Sequence, residues 1–169
     1  MSASPSGVGA RVGSGIAGAV RVVLGVLWLL EGITKYRAGF GGADIELVVQ
    51  STASNPRVPG FFVWFTGTIM DPLHDAFGVL MPALETGLGV LLVLGVLTVP
   101  AAIASVGTLM MYWLADQLIA QYPIMVALSA VVLLFPDAAT RYSLTGLLTR
   151  RRRSAGGGPD AARHPYRWL

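Results

Sequence analysis

The chain has 169 residues, of which 54% are hydrophobic and only 12% charged, against roughly 25% charged residues in an average soluble domain; its mean hydropathy is +0.65. That is the composition of a small membrane protein of one domain, and it argues against a water-facing globular fold. The net charge of +3 comes largely from arginines gathered near the C-terminus, a basic tail and no face for nucleic acid, while the absence of cysteine excludes disulfides, iron–sulfur ligation, persulfide chemistry and a vitamin-K-reductase-like thiol pair.

Residues 1–15 are Ser, Gly and Ala with Arg11, too poor in apolar side chains to bury a face, and are expected to form a flexible tail. Residues 16–36 (IAGAVRVVLGVLWLLEGITKY) form the first expected span, long enough for a hydrocarbon core of about 30 Å. A signal peptide fits this stretch poorly, because it runs on through Glu31 and Lys35 with no small-x-small cleavage site after it. Residues 37–76 are the longest polar stretch. Within it, residues 44–52 suit one short amphipathic helix, Asn55, Pro56, Pro59 and Gly60 break it, and residues 61–65 (FFVWF) make an aromatic run that reads either as a membrane-interface element or as a loop packed on the helices.

The second span is expected over 77–97, interrupted in character by Pro82 and Glu85. Val99 and Pro100 turn the chain into a third over 101–119. The fourth is short, since 124–135 supplies about a dozen apolar residues where about 17 are needed, so it must continue past Pro136 with a kink there or be tilted. Arg150, Arg151, Arg152 and Arg153 close the hydrophobic region as a topology anchor, and 154–169 is a basic, aperiodic and flexible tail. The expected fold is therefore all-α: a four-transmembrane-helix bundle over 16–149, with a loop at about 38–76. Arg11 and Arg21 at one end and the 150–153 run at the other lie on one side of such a bundle. The positive-inside rule then puts both termini in the cytoplasm of a multi-pass protein in the cell membrane, and the loop outside.

Ionisable side chains inside a span cost about 2.5–3.5 kcal/mol each on insertion scales, so Glu31, Lys35, Glu85 and Asp116 call for pairing or for function. Glu31 and Lys35 stand four residues apart, the spacing that pairs them along one helix face. All four residues converge on the outer half. Gly18, Gly25 and Gly32 repeat every seven residues as a groove for close packing, with Arg21, Trp28 and Lys35 beside it. Gly78, Pro82, Glu85 and Gly89 share one face of the second span, and Ser105, Thr108, Tyr112 and Asp116 form a polar stripe on the third. Two uses of these charges remain open: Lys35 neutralises Glu31 or Glu85 and sets helix register, or the group is a substrate or proton site. At the cytoplasmic end Arg21, Asp137, Arg141 and Tyr142 form a second set, with Asp137 expected to cap a helix after Pro136. His74 and His164 lie in the loop and the tail, which excludes a bis-histidine haem inside the bundle and leaves no metal site.

These residues resemble the DoxX and DoxD-like family of small membrane proteins. The resemblance rests on Arg21 ahead of G-x-x-W-x-x-x-G-x-x-K at Gly25, Trp28, Gly32 and Lys35. It continues with Glu85 before a Gly-rich stretch at Gly89, Leu92, Leu94 and Gly95, and ends with R-Y-S-L at 141–144. It covers roughly residues 20–148, and departs from the family where an Asp often follows S-L and this chain has Thr145. The resemblance implies a four-helix membrane subunit of an oxidoreductase system such as thiosulfate:quinone oxidoreductase, which passes electrons from a sulfur compound to quinone. On that expectation quinone is the cofactor and none is covalently bound. Glu85, Glu31 and Lys35 are the catalytic candidates, Glu85 first among them for handling protons, with Trp28, Tyr112 and Asp116 as the cofactor-binding wall. The expected partners are the lipid bilayer, quinone, another membrane or peripheral redox protein, and other copies in an oligomer, with no nucleic acid. The competing expectation is a non-catalytic scaffold or assembly subunit whose charges only pair with each other; a transporter fits least, since four spans without an inverted repeat leave little room for alternating access.

Overall fold

The computed structural model describes residues 5–146, all helices, turns and connecting segments with no strand among them; residues 1–4, the arginines at 150–153, the tail at 154–169 and His164 lie outside the described residues. Helix α1 (Pro5–Ala38) has 34 residues. It begins at Pro5, ahead of the expected start at residue 16. Proline suits a first helical position, and no second proline follows within α1, so the helix propagates outward from its apolar core although Gly7, Gly9, Gly13 and Gly15 each weaken it. Helix α1 stops at Gly39, whose φ of 70° closes the end: the Phe40 N–H reaches Lys35 O at 3.0 Å and the Gly39 N–H reaches Tyr36 O at 3.2 Å, satisfying carbonyls that the helix leaves open.

Helix α2 (Gly42–Ser54) occupies the expected amphipathic stretch. The Asp44 carboxylate accepts the Gly41 N–H at 2.9 Å, and Pro56 prevents continuation. The aromatic run is helix α3 (Gly60–Phe65), extended by a wider turn over Thr66–Met70 in which the Asp71 N–H reaches Thr66 O at 2.9 Å. Phe62 is buried while Phe61 and Trp64 face outward. Helices α4 (His74–Leu94), α5 (Thr98–Leu114), α6 (Gln121–Leu134) and α7 (Pro136–Thr140) follow. The break between α6 and α7 falls at Phe135 and Pro136, the proline where a kink is expected. Two segments, Gly9–Ala38 and His74–Leu94, are long and apolar enough to cross a membrane, each with mean hydropathy 1.9.

Helix α1 is the hub, lying along α4 and also against α6 and α7, while α5 packs on α6 and α4 and α2 on α4. Two of the three expected groove glycines do this packing. A Cβ on Gly25 would lie 2.8 Å from Val93 N and 2.9 Å from Gly89 O; one on Gly32 would lie 2.9 Å from Thr86 N and 3.1 Å from Pro82 O. Backbone meets backbone at both. Gly18 faces open space within 4 Å. Leu24, Trp28, Leu92, Leu109 and Met125 fill the core.

Candidate functional site

The closeness of α1 and α4 at Gly32 decides what Lys35 touches. Lys35 stands less than a turn beyond Gly32, and Glu85 stands on the face of α4 that Gly32 admits. The Lys35 ammonium therefore donates to Glu85 Oε1, while Glu31 Oε2 on its own helix stays at 3.8 Å. The i, i+4 spacing by itself pairs Lys35 with Glu31. The structure reverses that preference, because the interhelical approach brings Glu85 nearer than Glu31. Glu31 instead accepts from the Gln121 carboxamide at the head of α6.

Glu85 is 0% exposed. Its Oε1 also accepts the Tyr112 hydroxyl from α5, so two donors meet on one oxygen, and Oε2 is buried with no hydrogen-bond partner. A buried carboxylate oxygen left without a partner costs free energy unless a proton, a water or another group meets it. The Tyr112 ring stacks on Tyr122 with centroids 5.3 Å apart and planes at 27°. The Lys35 ammonium lies 5.1 Å from the Tyr112 ring centre and 5.6 Å from that of Phe40, close enough for both ring faces to attract the cation. A cavity of about 80 Å³ adjoins this group, walled by Lys35 and Tyr112 and roofed by Phe40, Ile45, Phe62 and Met70. The segment from α2 to the wide turn after α3 thus covers the site.

Four of the six residues singled out from the sequence come together: Glu31, Lys35, Glu85 and Tyr112. Trp28 does not join them. It is fully buried, donating Nε1–H to Ser105 Oγ at 2.8 Å, with Ser105 in turn 2.9 Å from Ser129 Oγ, so its ring presents no free surface to a ligand. Asp116 also stands apart. Helix α5 ends at Leu114 and Asp116 takes a φ of 58°, so the polar stripe's helical periodicity stops at Tyr112. The Asp116 carboxylate turns to the loop, accepting from Arg57 and, at 2.7 Å, from Asn55. Those bonds, Arg57's first, hold its carboxyl below the usual carboxylate range. Tyr122, Gln121 and Phe40 join the site without having been singled out. Only the position of the Gln121–Tyr122 pair, heading a helix at the same end as Lys35, signalled it.

At the opposite end Arg21 is 2% exposed and, among the described residues, donates to backbone carbonyls only. Nε donates to Ala139 O at 3.0 Å, Nη1 to Leu92 O and, at 3.0 Å, to Val93 O, and Nη2 to Tyr142 O at 3.4 Å. These are carbonyls at the C-terminal ends of α4 and α7, where a cation also suits the helix dipoles. Asp137 does not cap: Phe135 is the N-cap of α7, and Asp137 lies inside its first turn. His74 Nε2 pairs with Glu46 at 3.3 Å, tying α4 to α2. No family model, curated protein or solved structure matches the chain.

Proposed function

We propose that the chain is a four-span protein of the cell membrane, with α1, α4, α5 and the α6–α7 pair as spans, both termini cytoplasmic, and that it is a DoxX/DoxD-like subunit of a quinone-linked oxidoreductase. The membrane reading is supported by large apolar side chains turned outward on all four spans, among them Ile16 and Leu30, Val79, Ile103, and Ile124. Water-soluble monomers rarely expose contiguous apolar area on that scale. The arginine distribution places the Glu85 end outside. Alkaline phosphatase fused near Asn55 is expected to be active and the same enzyme fused after Arg153 inactive; equal activity from both fusions refutes the four-span topology.

The observation that carries the functional reading is the orphaned Oε2 of a fully buried Glu85, held by Lys35 and Tyr112, which themselves line a cavity. The residues present fit a flat, largely apolar ring with polar edges. Lys35, whose ammonium has donors beyond the one given to Glu85, supplies them at the cavity wall beside the Tyr112 ring, and Phe40, Phe62 and Met70 exclude water. A quinone, when bound, supplies two-electron, two-proton redox chemistry. Glu85 takes up or releases a proton at Oε2, Lys35 balances the charge in either state, and Glu31 supplies the second carboxylate that keeps Lys35 neutralised while Glu85 is protonated. With no cysteine in the chain, electrons come from a sulfur compound directly or through a partner redox protein.

Glu85→Gln is expected to leave the helices folded and to abolish quinone-dependent electron transfer in membranes holding the native partner. The second reading, a scaffold or assembly subunit, is favoured by the Lys35–Glu85 pairing itself, which neutralises both charges without a ligand. It takes precedence if Glu85→Gln transfers electrons at the wild-type rate while Glu85→Leu only lowers stability.

A further inference from the structure

The cavity beside Lys35 has a neighbour. Between α5 and α6, on the far side of Gln117, lies a groove of about 540 Å³ lined by Leu109, Met110, Trp113, Leu118, Ile119 and Val126. Gln117 lines both spaces. The stacked tyrosines complete the partition, Tyr112 facing the cavity and Tyr122 the groove. The Gln117 carboxamide makes no hydrogen bond among the described residues, so a free donor and a free acceptor stand where the spaces meet. The two differ in size and polarity. About 80 Å³ lined by an ammonium and a phenol, with the Glu85 carboxylate behind them, accommodates a compact polar-edged head, whereas the groove lies within the roughly 300–1,000 Å³ of ordinary ligand sites and is almost wholly apolar.

We propose that the α5–α6 groove binds the apolar chain of an amphiphile whose ring head reaches the Lys35–Tyr112 cavity past Gln117, which makes the substrate a chain-bearing ring compound taken from the bilayer. This rests on the quinone reading above and adds the chain, its seat and its route. A ligand arriving from the lipid meets Trp113 and Leu118 before any charged group. Gln117 then exchanges hydrogen bonds with the passing head, and the tyrosine pair separates the chain from the carboxylates.

The test uses the full chain in lipid nanodiscs and two probes, 2,3-dimethoxy-5-methyl-1,4-benzoquinone and the same ring carrying a decyl chain, with binding read from quenching of tryptophan fluorescence. Ala120 lines the groove and is exposed, so Ala120→Phe fills it without entering the core. Ile103→Phe, lipid-facing and outside the groove, corrects for partition of the decyl compound into the bilayer. Wild type and Ile103→Phe are expected to prefer the decyl probe by at least about tenfold, and Ala120→Phe to cut that preference to about twofold with the chainless probe bound as before. A preference untouched by Ala120→Phe shows that the groove holds bilayer lipid only; the groove assignment then falls while the quinone reading stands. If neither probe binds wild type, the quinone reading itself fails and takes the groove with it.

Discussion

Replacing Lys35 by methionine isolates the energetics of the acid cluster. The substitution preserves the aliphatic stem between Phe40 and Tyr112 and deletes the cation that holds both Glu85 and Glu31. Glu85 then keeps one donor, Tyr112, on one oxygen and none on the other. Breaking a buried pair from one side costs about 3–5 kcal/mol. Lys35 and Glu31 retain 18% and 16% of their side-chain exposure, so solvent screening places the loss near the lower bound, about 3 kcal/mol. At about 2–4 °C per kcal/mol for a chain of this size, the melting temperature falls by about 6–12 °C. Adding Glu85→Gln removes the uncompensated charge and keeps an acceptor for Tyr112, so the double variant recovers about 1–2 kcal/mol relative to Lys35→Met alone. Thermal unfolding in mild detergent, followed by tryptophan fluorescence on wild type, both single variants and the double, reads the cycle. Single losses that add to within about 0.5 kcal/mol refute the coupling and with it the assembled site.

The Arg57–Asp116 contact carries a pH dependence of known sign. Asp116's folded pKa lies below its ordinary value of 3.8, so its stabilisation is complete above that value and disappears as pH falls through the lower folded one. Wild type is expected to melt above Asp116→Asn at pH 6 and level with it at strongly acid pH; a difference that persists in acid assigns the effect to something other than charge. The groove glycines separate by position. Gly25→Ala forces backbone apart and should cost about 1–3 kcal/mol in detergent melts, whereas Gly18→Ala meets open space and should be neutral or stabilising by up to about 1 kcal/mol. Equal effects at the two positions would mean that α1 and α4 do not touch along Gly25.

Periodicity exposed the inward faces of the long helices: Gly78, Pro82, Glu85 and Gly89 are all buried, as their shared helical face requires. Prolines marked the breaks at Pro56 and Pro136, because each acts through its own backbone and needs no partner, but the turn expected at Val99 and Pro100 falls earlier, at Gly95 to Leu97, and Val99 and Pro100 lie in the first turn of α5, where a proline's missing N–H costs nothing. Interhelical distance was not legible. Lys35 has a local partner four residues away, and only the Gly32 approach, a property of two helices together, shows that Glu85 wins. The Asp116 error has a similar origin. A stripe extrapolated at helical spacing assumes that the helix continues, and the left-handed turn at Asp116 ends it with a residue that is not glycine. Trp28 matched a family pattern, but its role came from a hydroxyl 77 positions away.

Arg21 joins the two ends of the chain in time as well as in space. Its acceptors at Ala139 and Tyr142 lie 118 and 121 positions further on, so when α1 first emerges during synthesis its guanidinium has none of them. Under the proposed membrane topology, an arginine in that condition resists full insertion, at up to about 2.5–3.5 kcal/mol for one at a span centre. Its acceptors then arrive in two instalments, Leu92 and Val93 with α4 and Ala139 and Tyr142 only at and beyond α7, so the hold on α1 is completed only when the chain has been made through α7.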